Sequence, residues 1–119
     1  VILLLIFLAN IVVAQSSLEV QKVSENVYAL VGETTQRSPT NFGNNSTHGV
    51  IITDEGVVLI DSGASYLGAK EIHEVIQTLT DKPIKIVINT GGQDHRWLGN
   101  DYFAKLGARV IASRKTKFG

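Results

Sequence analysis

The sequence predicts a mixed α/β (α+β) fold, one sheet with helices packed outside it, and three observations carry that reading. Its first half holds four short runs rich in β-forming residues, grouped as two hairpins. Its second half alternates stretches of helical period with apolar runs too short to be helices. The resulting order, β-β-β-β-α-β-α-β, suits a sheet that begins with hairpins and continues through crossover units.

Leu18, Val20 and Val23 lead into Asn26–Gly32, two strands joined at Ser24-Glu25. Residues 33–47 are polar, contain Pro39 and Gly43, and form a loop longer than a minimal connection requires. Gly49–Thr53, Asp54-Glu55-Gly56 and Val57–Asp61 read as the second hairpin, with glycine easing the turn. After a turn at Ser62–Tyr66, the residues Ala69, Ile72, Ile76 and Leu79 recur at helical spacing. That spacing turns Lys70, Glu71, His73, Glu74 and Gln77 outward. Pro83 ends the helix, and Ile84–Ile88 is a strand buried on at least one face. A polar segment, Asn89–His95, separates it from a short helix expected over Trp97–Leu106, whose Trp97, Tyr102 and Phe103 are expected to pack in the core. Ala108–Ala112 is the last strand.

Residues 1–17 carry no charge, and Val1–Val13 is almost wholly aliphatic. A membrane span needs about 20 apolar residues, so this run is too short to be one. It fits the apolar region of a signal peptide cut after Val12-Val13-Ala14, with the basic region and initiator Met preceding the sequence given. The expected division is a leader over 1–14 and a domain from Gln15 onward, exported to the bacterial periplasm and meeting a membrane only during export. The alternative for the run is a buried strand or helix. Cysteine is absent, which excludes a thiol nucleophile, a cysteine-zinc site and a disulfide framework within this stretch. Eleven acidic residues balance eleven basic ones, so no overall field draws in nucleic acid. The cluster Arg114–Lys117 is too short for a binding patch and reads as solvated surface.

Chemistry concentrates where the Ile84–Ile88 strand gives way to its polar loop, because side chains there project from the carboxyl edge of a sheet. Asp94 and His95 stand together on that loop, and both residue types bind zinc. Asp94 is nearly as good a helix cap as a ligand, since a carboxylate also accepts from free helical N–H groups. The corresponding alternative for His95 is a solvated ring or a bond to the backbone. Gln93 is a poor ligand, and Gly91 and Gly92 offer none. His48, behind the asparagine-rich loop, and His73 read as structural or surface residues.

Asn89-Thr90 followed by Leu98-Gly99-Asn100, together with the upstream Asp61-Ser62-Gly63, resembles the metallo-β-lactamase superfamily, whose loop reads Asn-Thr-His-x-His-x-Asp-His. The variant Asn-Thr-Gly-Gly-Gln-Asp-His-Arg-Trp-Leu-Gly-Asn looks most like the branch called quinoprotein relay system metallohydrolases. Aligned without a gap, Gly91 and Gln93 take the first two histidine positions, His95 the aspartate position and Arg96 the last histidine position. A one-residue slide pairs Asp94-His95 with Asp-His but still leaves no His-x-His.

The resemblance, over about Leu18 to the end, implies the N-terminal half of an αββα sandwich and a zinc-dependent hydrolase acting on a small molecule. It further implies at most one tightly bound zinc, with His95 and Asp94 as candidate ligands and Asp94 as candidate catalytic residue. Asp61, Asn89 and Thr90 would then hold the loop in place. The branch implies a partner from a periplasmic quinoprotein system. Two other readings remain: a non-catalytic periplasmic accessory domain on the same fold, and a dimeric aspartic protease built on Asp61-Ser62-Gly63.

Overall fold

The computed structural model describes residues 15–117, so the leader expected over 1–14 lies outside them. The elements run β1 (Glu19–Ser24), β2 (Val27–Val31), β3 (Thr47–Thr53), β4 (Gly56–Ile60), α1 (Tyr66–Leu79), β5 (Ile84–Asn89), a 3-10 turn at Asp94–Arg96, α2 (Asn100–Lys105), β6 (Arg109–Ala112) and α3 (Arg114–Lys117). One sheet contains all six strands in chain order. Pairing is antiparallel from β1 to β4 and parallel from β4 to β6. The predicted fold class and element order are those observed, with α3 added.

Alternation along each strand sends one set of side chains toward the helices. Leu30, Val50, Val57, Leu59 and Val87 form that set and are fully buried. They meet Ala69, Ile72, Val75 and Ile76 of α1 and Phe103 of α2 in a single core. The opposite face is just as apolar. The registers place Val27, Ala29, Val31, Ile51, Val58, Ile60, Ile86, Ile88 and Ile111 there together. Every one of these is half-buried or exposed. Runs apolar on both faces are the mark of strands meant to be covered on both sides.

Ser65 caps α1, its hydroxyl accepting from the Gly68 N–H at 2.8 Å and donating to the Phe42 carbonyl. Two side chains expected to face outward from α1 do not. Glu71 is buried and accepts from Ser16 Oγ, Ser17 N, Ser17 Oγ and Asn44 Nδ2, which ties the segment before β1 down onto the helix. His73 is half-buried, with Nδ1 2.9 Å from the Tyr102 hydroxyl and the Phe103 ring beside it. The apolar arc of α1 is therefore wider than the i, i+3, i+4 positions suggest, because α2 and the residue 15–18 segment both lie on it.

The expected helix over Trp97–Leu106 is shorter, for a local reason. The Arg96 carbonyl, which a longer helix would use to accept from Asn100, instead accepts from Ser62 N at 3.1 Å and Asn89 Nδ2 at 2.5 Å. Helical pairing therefore starts only at Asn100. Phe103 is fully buried and Tyr102 half-buried, whereas Trp97 is exposed and not a core residue. The first hairpin turns on Glu25-Asn26, one residue later than expected, with Asn26 in the left-handed region at φ 60°.

Candidate functional site

Strands β4 and β5 run parallel, so Asp61 and Asn89-Thr90 emerge at the same edge of the sheet. Asp61 adopts φ 63°, a left-handed conformation that aspartate tolerates better than most residues. That conformation swings its carboxylate across to the neighbouring strand. Oδ1 accepts from Thr90 N at 2.8 Å and Oδ2 from Thr90 Oγ1 at 2.6 Å. Both oxygens are thus committed and the residue is buried. A water-activating aspartic dyad needs carboxylates open to substrate, and this one is spent on Thr90.

Beneath it lies His48, which the sequence places only as structural or surface and which is fully buried. Its Nδ1 is 3.0 Å from the Asp61 carbonyl, and its Nε2 is 3.2 Å from Ser46 Oγ. A carbonyl only accepts, so Nδ1 carries the proton. Burial pushes the His48 pKa down against the opposing pull of that bond, and nearby His95 lowers it further. His48 therefore serves as a neutral strut under the Asp61 turn.

The far end of the loop is fixed by amides. Asn100 Nδ2 donates to Asn89 Oδ1 at 2.7 Å, and Asn89 Nδ2 donates to Asn100 Oδ1 at 3.0 Å. Ser62 Oγ also donates to Asn100 Oδ1, at 2.7 Å. Gly99 has to be glycine here: a Cβ would stand 2.0 Å from the Ser62 carbonyl oxygen and 2.9 Å from Ala69 Cβ. Asp61, Asn89, Thr90, Gly99 and Asn100 thus clamp both ends of a loop whose interior is residues 91–96.

Asp94 opens the 3-10 turn. Its carboxylate accepts from its neighbour's N–H, His95 N at 2.7 Å, while Gln93 takes the N-cap position without a side-chain bond, so Asp94 is not the cap its residue type allowed. It also takes both arms of Arg37, Nη1 at 2.7 Å and Nη2 at 2.5 Å. That guanidinium holds the Asp94 carboxyl at about 2, well below its ordinary 3.8. Arg37 comes from the long polar loop between β2 and β3, which is thereby clasped to the edge of the site. His95 stays partly open, its side chain 28% exposed and Nδ1 3.8 Å from Asp94 Oδ1.

Arg96 turns inward instead. Nη1 donates to Thr90 Oγ1 and lies 3.8 Å from Asp61 Oδ2. Its Nε is buried and has no partner among the described residues. The arginine stem lies over Gly91: a Cβ on residue 91 would stand 3.1 Å from Arg96 Cδ and 3.2 Å from Nε. A side chain at position 91 would therefore crowd Arg96, and would also meet Gln93 Oε1 at 2.8 Å. Trp97 Nε1 donates to the Gly92 carbonyl at 3.1 Å.

A catalytic zinc takes about three protein ligands. Among the described residues, no three of His, Cys, Asp and Glu come together. Asp94 is engaged by Arg37, and His95 is the loop's one imidazole. By itself, this donor set does not make a zinc site. The structure brings Asp61, Asn89, Thr90, Asp94 and His95 to one edge and leaves His73 apart, on α1 against the Tyr102 and Phe103 rings of α2. Sequence reading missed Arg37 and the inward turn of Arg96, and it named Ser62 and Asn100 only within motifs, without their bond to each other. Only the Leu98-Gly99-Asn100 match hinted at the amide clamp.

No family model matches the sequence. Among solved structures, the chain is similar to a metallo-β-lactamase from Pontibacter korlensis, with TM-score 0.66 and 25% identity over 85% of this chain and 46% of that one. A metallo-β-lactamase from Hirschia baltica aligns at TM-score 0.70 and 20% identity, over 87% of this chain and 46% of that one. The enzyme FIM-1 from Pseudomonas aeruginosa, in its mono-zinc form, aligns at TM-score 0.69 and 14% identity, over 83% and 43%. The chain spans less than half the length of each.

Proposed function

We propose, from the metallo-β-lactamase superfamily fold that this chain carries, that the whole protein is an exported, periplasmic hydrolase of a small molecule with at most one tightly bound zinc ion. This chain would contribute His95 to that ion, and the other ligands would come from the remainder of the protein. The observation that carries the reading is the placement of His95. It is the single imidazole of a loop fixed at both ends to the carboxyl edge of the sheet, and it is partly open to solvent. Zinc in such a place supplies Lewis-acid chemistry. The chain's own residues supply the frame: Asp61 orders Thr90, Asn89 and Asn100 lock the exit, and Arg37 clasps Asp94. Direct ligation by Asp94 would require Arg37 to let go, so its expected part is to orient the His95 turn.

Zinc content of the purified full-length protein tests this. Wild type is expected to hold no more than one ion per chain. His95→Ala is expected to lose zinc and hydrolysis together, Asp94→Asn to lose activity with a smaller loss of zinc, and His73→Ala to keep its zinc. Two ions in wild type, or unchanged zinc in His95→Ala, would sink the reading.

The second reading is a non-catalytic accessory domain on the same fold, and the capture of Asp94 by Arg37 together with the loop's lack of His-x-His favours it. A folded, full-length protein that binds no zinc and whose behaviour is indifferent to His95→Ala would decide for that alternative.

A further inference from the structure

We propose that Arg96 is a resident cation that holds the Thr90–Arg96 loop in its folded shape without a metal ion, and that Gly91 is the residue that makes room for it. A loop that gathers several imidazoles can be ordered by the metal they share. Here the convergence is on a guanidinium.

Arg96 is held twice over. Its side chain donates through Nη1 to Thr90 Oγ1, which in turn donates to Asp61 Oδ2 at 2.6 Å. Its carbonyl accepts from Ser62 N and Asn89 Nδ2. Backbone and side chain of one residue therefore join the entry of the loop to its exit. An arginine suits this place because its charge is permanent and its planar fork holds direction.

Gly91 belongs to the same device. Its φ lies outside the left-handed region, so the backbone itself would accept alanine. Space is what excludes it: a Cβ would stand 2.8 Å from Gln93 Oε1, the end of an exposed side chain that can swing away, and would press on Arg96 Cδ and Nε at 3.1 and 3.2 Å. A flexible side chain could normally move aside, but Arg96 is anchored at its tip to Thr90. The glycine at 91 and the arginine at 96 thus fit one another, and substituting either disturbs the same contact. The Arg37–Asp94 clasp closes the outer side of the same loop.

Hydrogen exchange of the Thr90, Arg96 and Leu98 amides in the full-length protein tests the proposal. These N–H groups donate to Asp61 Oδ1, the Gln93 carbonyl and the Asp94 carbonyl, so they report loop opening. In wild type, EDTA is expected to change their exchange less than twofold. Arg96→Gln and Gly91→Ala are each expected to speed it by tenfold or more, with Arg96→Lys between them and wild type. Gly91→Ala added to Arg96→Gln is expected to do little more, since the second change has no contact left to break. A tenfold acceleration by EDTA in wild type would overturn the proposal, as would fully additive effects of the two substitutions. Zinc content is not the readout, so failure of the zinc reading and failure of this one are told apart.

Discussion

Substituting Asp61 in the full-length protein isolates the turn on which the site hangs. The carboxylate makes two bonds to Thr90, at 2.8 and 2.6 Å, from a buried position. Hydrogen bonds to a charged group are worth about 1.5–3 kcal/mol each, against about 0.5–1.5 kcal/mol for neutral ones. Asp61→Asn keeps the shape and the tolerance for φ 63°, but it loses the charge and turns an N–H2 toward Thr90 Oγ1. The expected cost is about 2–3 kcal/mol. Asp61→Ala removes both bonds, about 3–6 kcal/mol together, and keeps a β-carbon in the left-handed region at about 1 kcal/mol relative to glycine. Asp61→Gly loses the same bonds without the steric term, so it is expected to be milder than alanine by about 1 kcal/mol. That ordering reverses the usual penalty of glycine relative to alanine within regular structure. Urea unfolding midpoints give the three values, with Thr90 amide exchange as the local check. An alanine variant more stable than the glycine variant, or an asparagine variant equal to wild type, would refute the reasoning.

Glu71→Ala is expected to cost about 3–5 kcal/mol in a thermal melt, because four groups lose a shared buried acceptor; a loss under about 1 kcal/mol would show that the 15–18 segment is not anchored there. The Asp94 carboxyl is depressed in the fold, so its contribution is complete above the unfolded value of 3.8 and disappears as pH falls through about 2. A carbon-detected titration is expected to place its midpoint near 2, and Arg37→Gln to return it toward 3.8; a wild-type midpoint already near 3.8 would deny the clasp. The isolated chain, with one apolar sheet face uncovered, is expected to self-associate or unfold, because exposed apolar patches of several hundred Å² drive association. Light scattering and a melt check this, and a monodisperse monomer with a cooperative transition would contradict it.

Pattern made the fold legible. Alternating or wholly apolar runs and one long amphipathic stretch gave the six strands and α1, since burial dictates those periods directly. Helix bounds at Trp97 were less legible, because they depend on a carbonyl captured by Ser62, 34 residues away in the chain. Glu71 and His73 were misplaced for the same reason: a helical wheel shows the polar positions but not the serines and tyrosine that come to meet them. At the site, Asp61, Asn89 and Thr90 could be named only through the motif resemblance. The partner of Asp94 could not, since Arg37 lies in a loop without periodicity and 57 residues away. Residue type also hid the role of Arg96, which reads as one more surface charge until the missing Cβ at 91 explains its direction.

Spatial order equal to chain order has a consequence for biosynthesis. Each strand that leaves the ribosome or a translocation pore finds its hydrogen-bonding neighbour already present, so the sheet can be laid down vectorially from β1 to β6. Loop-closure entropy stays low at every step, because no strand waits for a partner still to be made. What cannot be completed in passing is the second apolar face, which stays wet until something covers it. The vulnerable interval therefore falls after β6 has docked, when these six strands are hydrogen-bonded but their second face is not yet a core. Pulse-labelled hydrogen exchange on stalled chains would date the protection of each strand and the length of that interval.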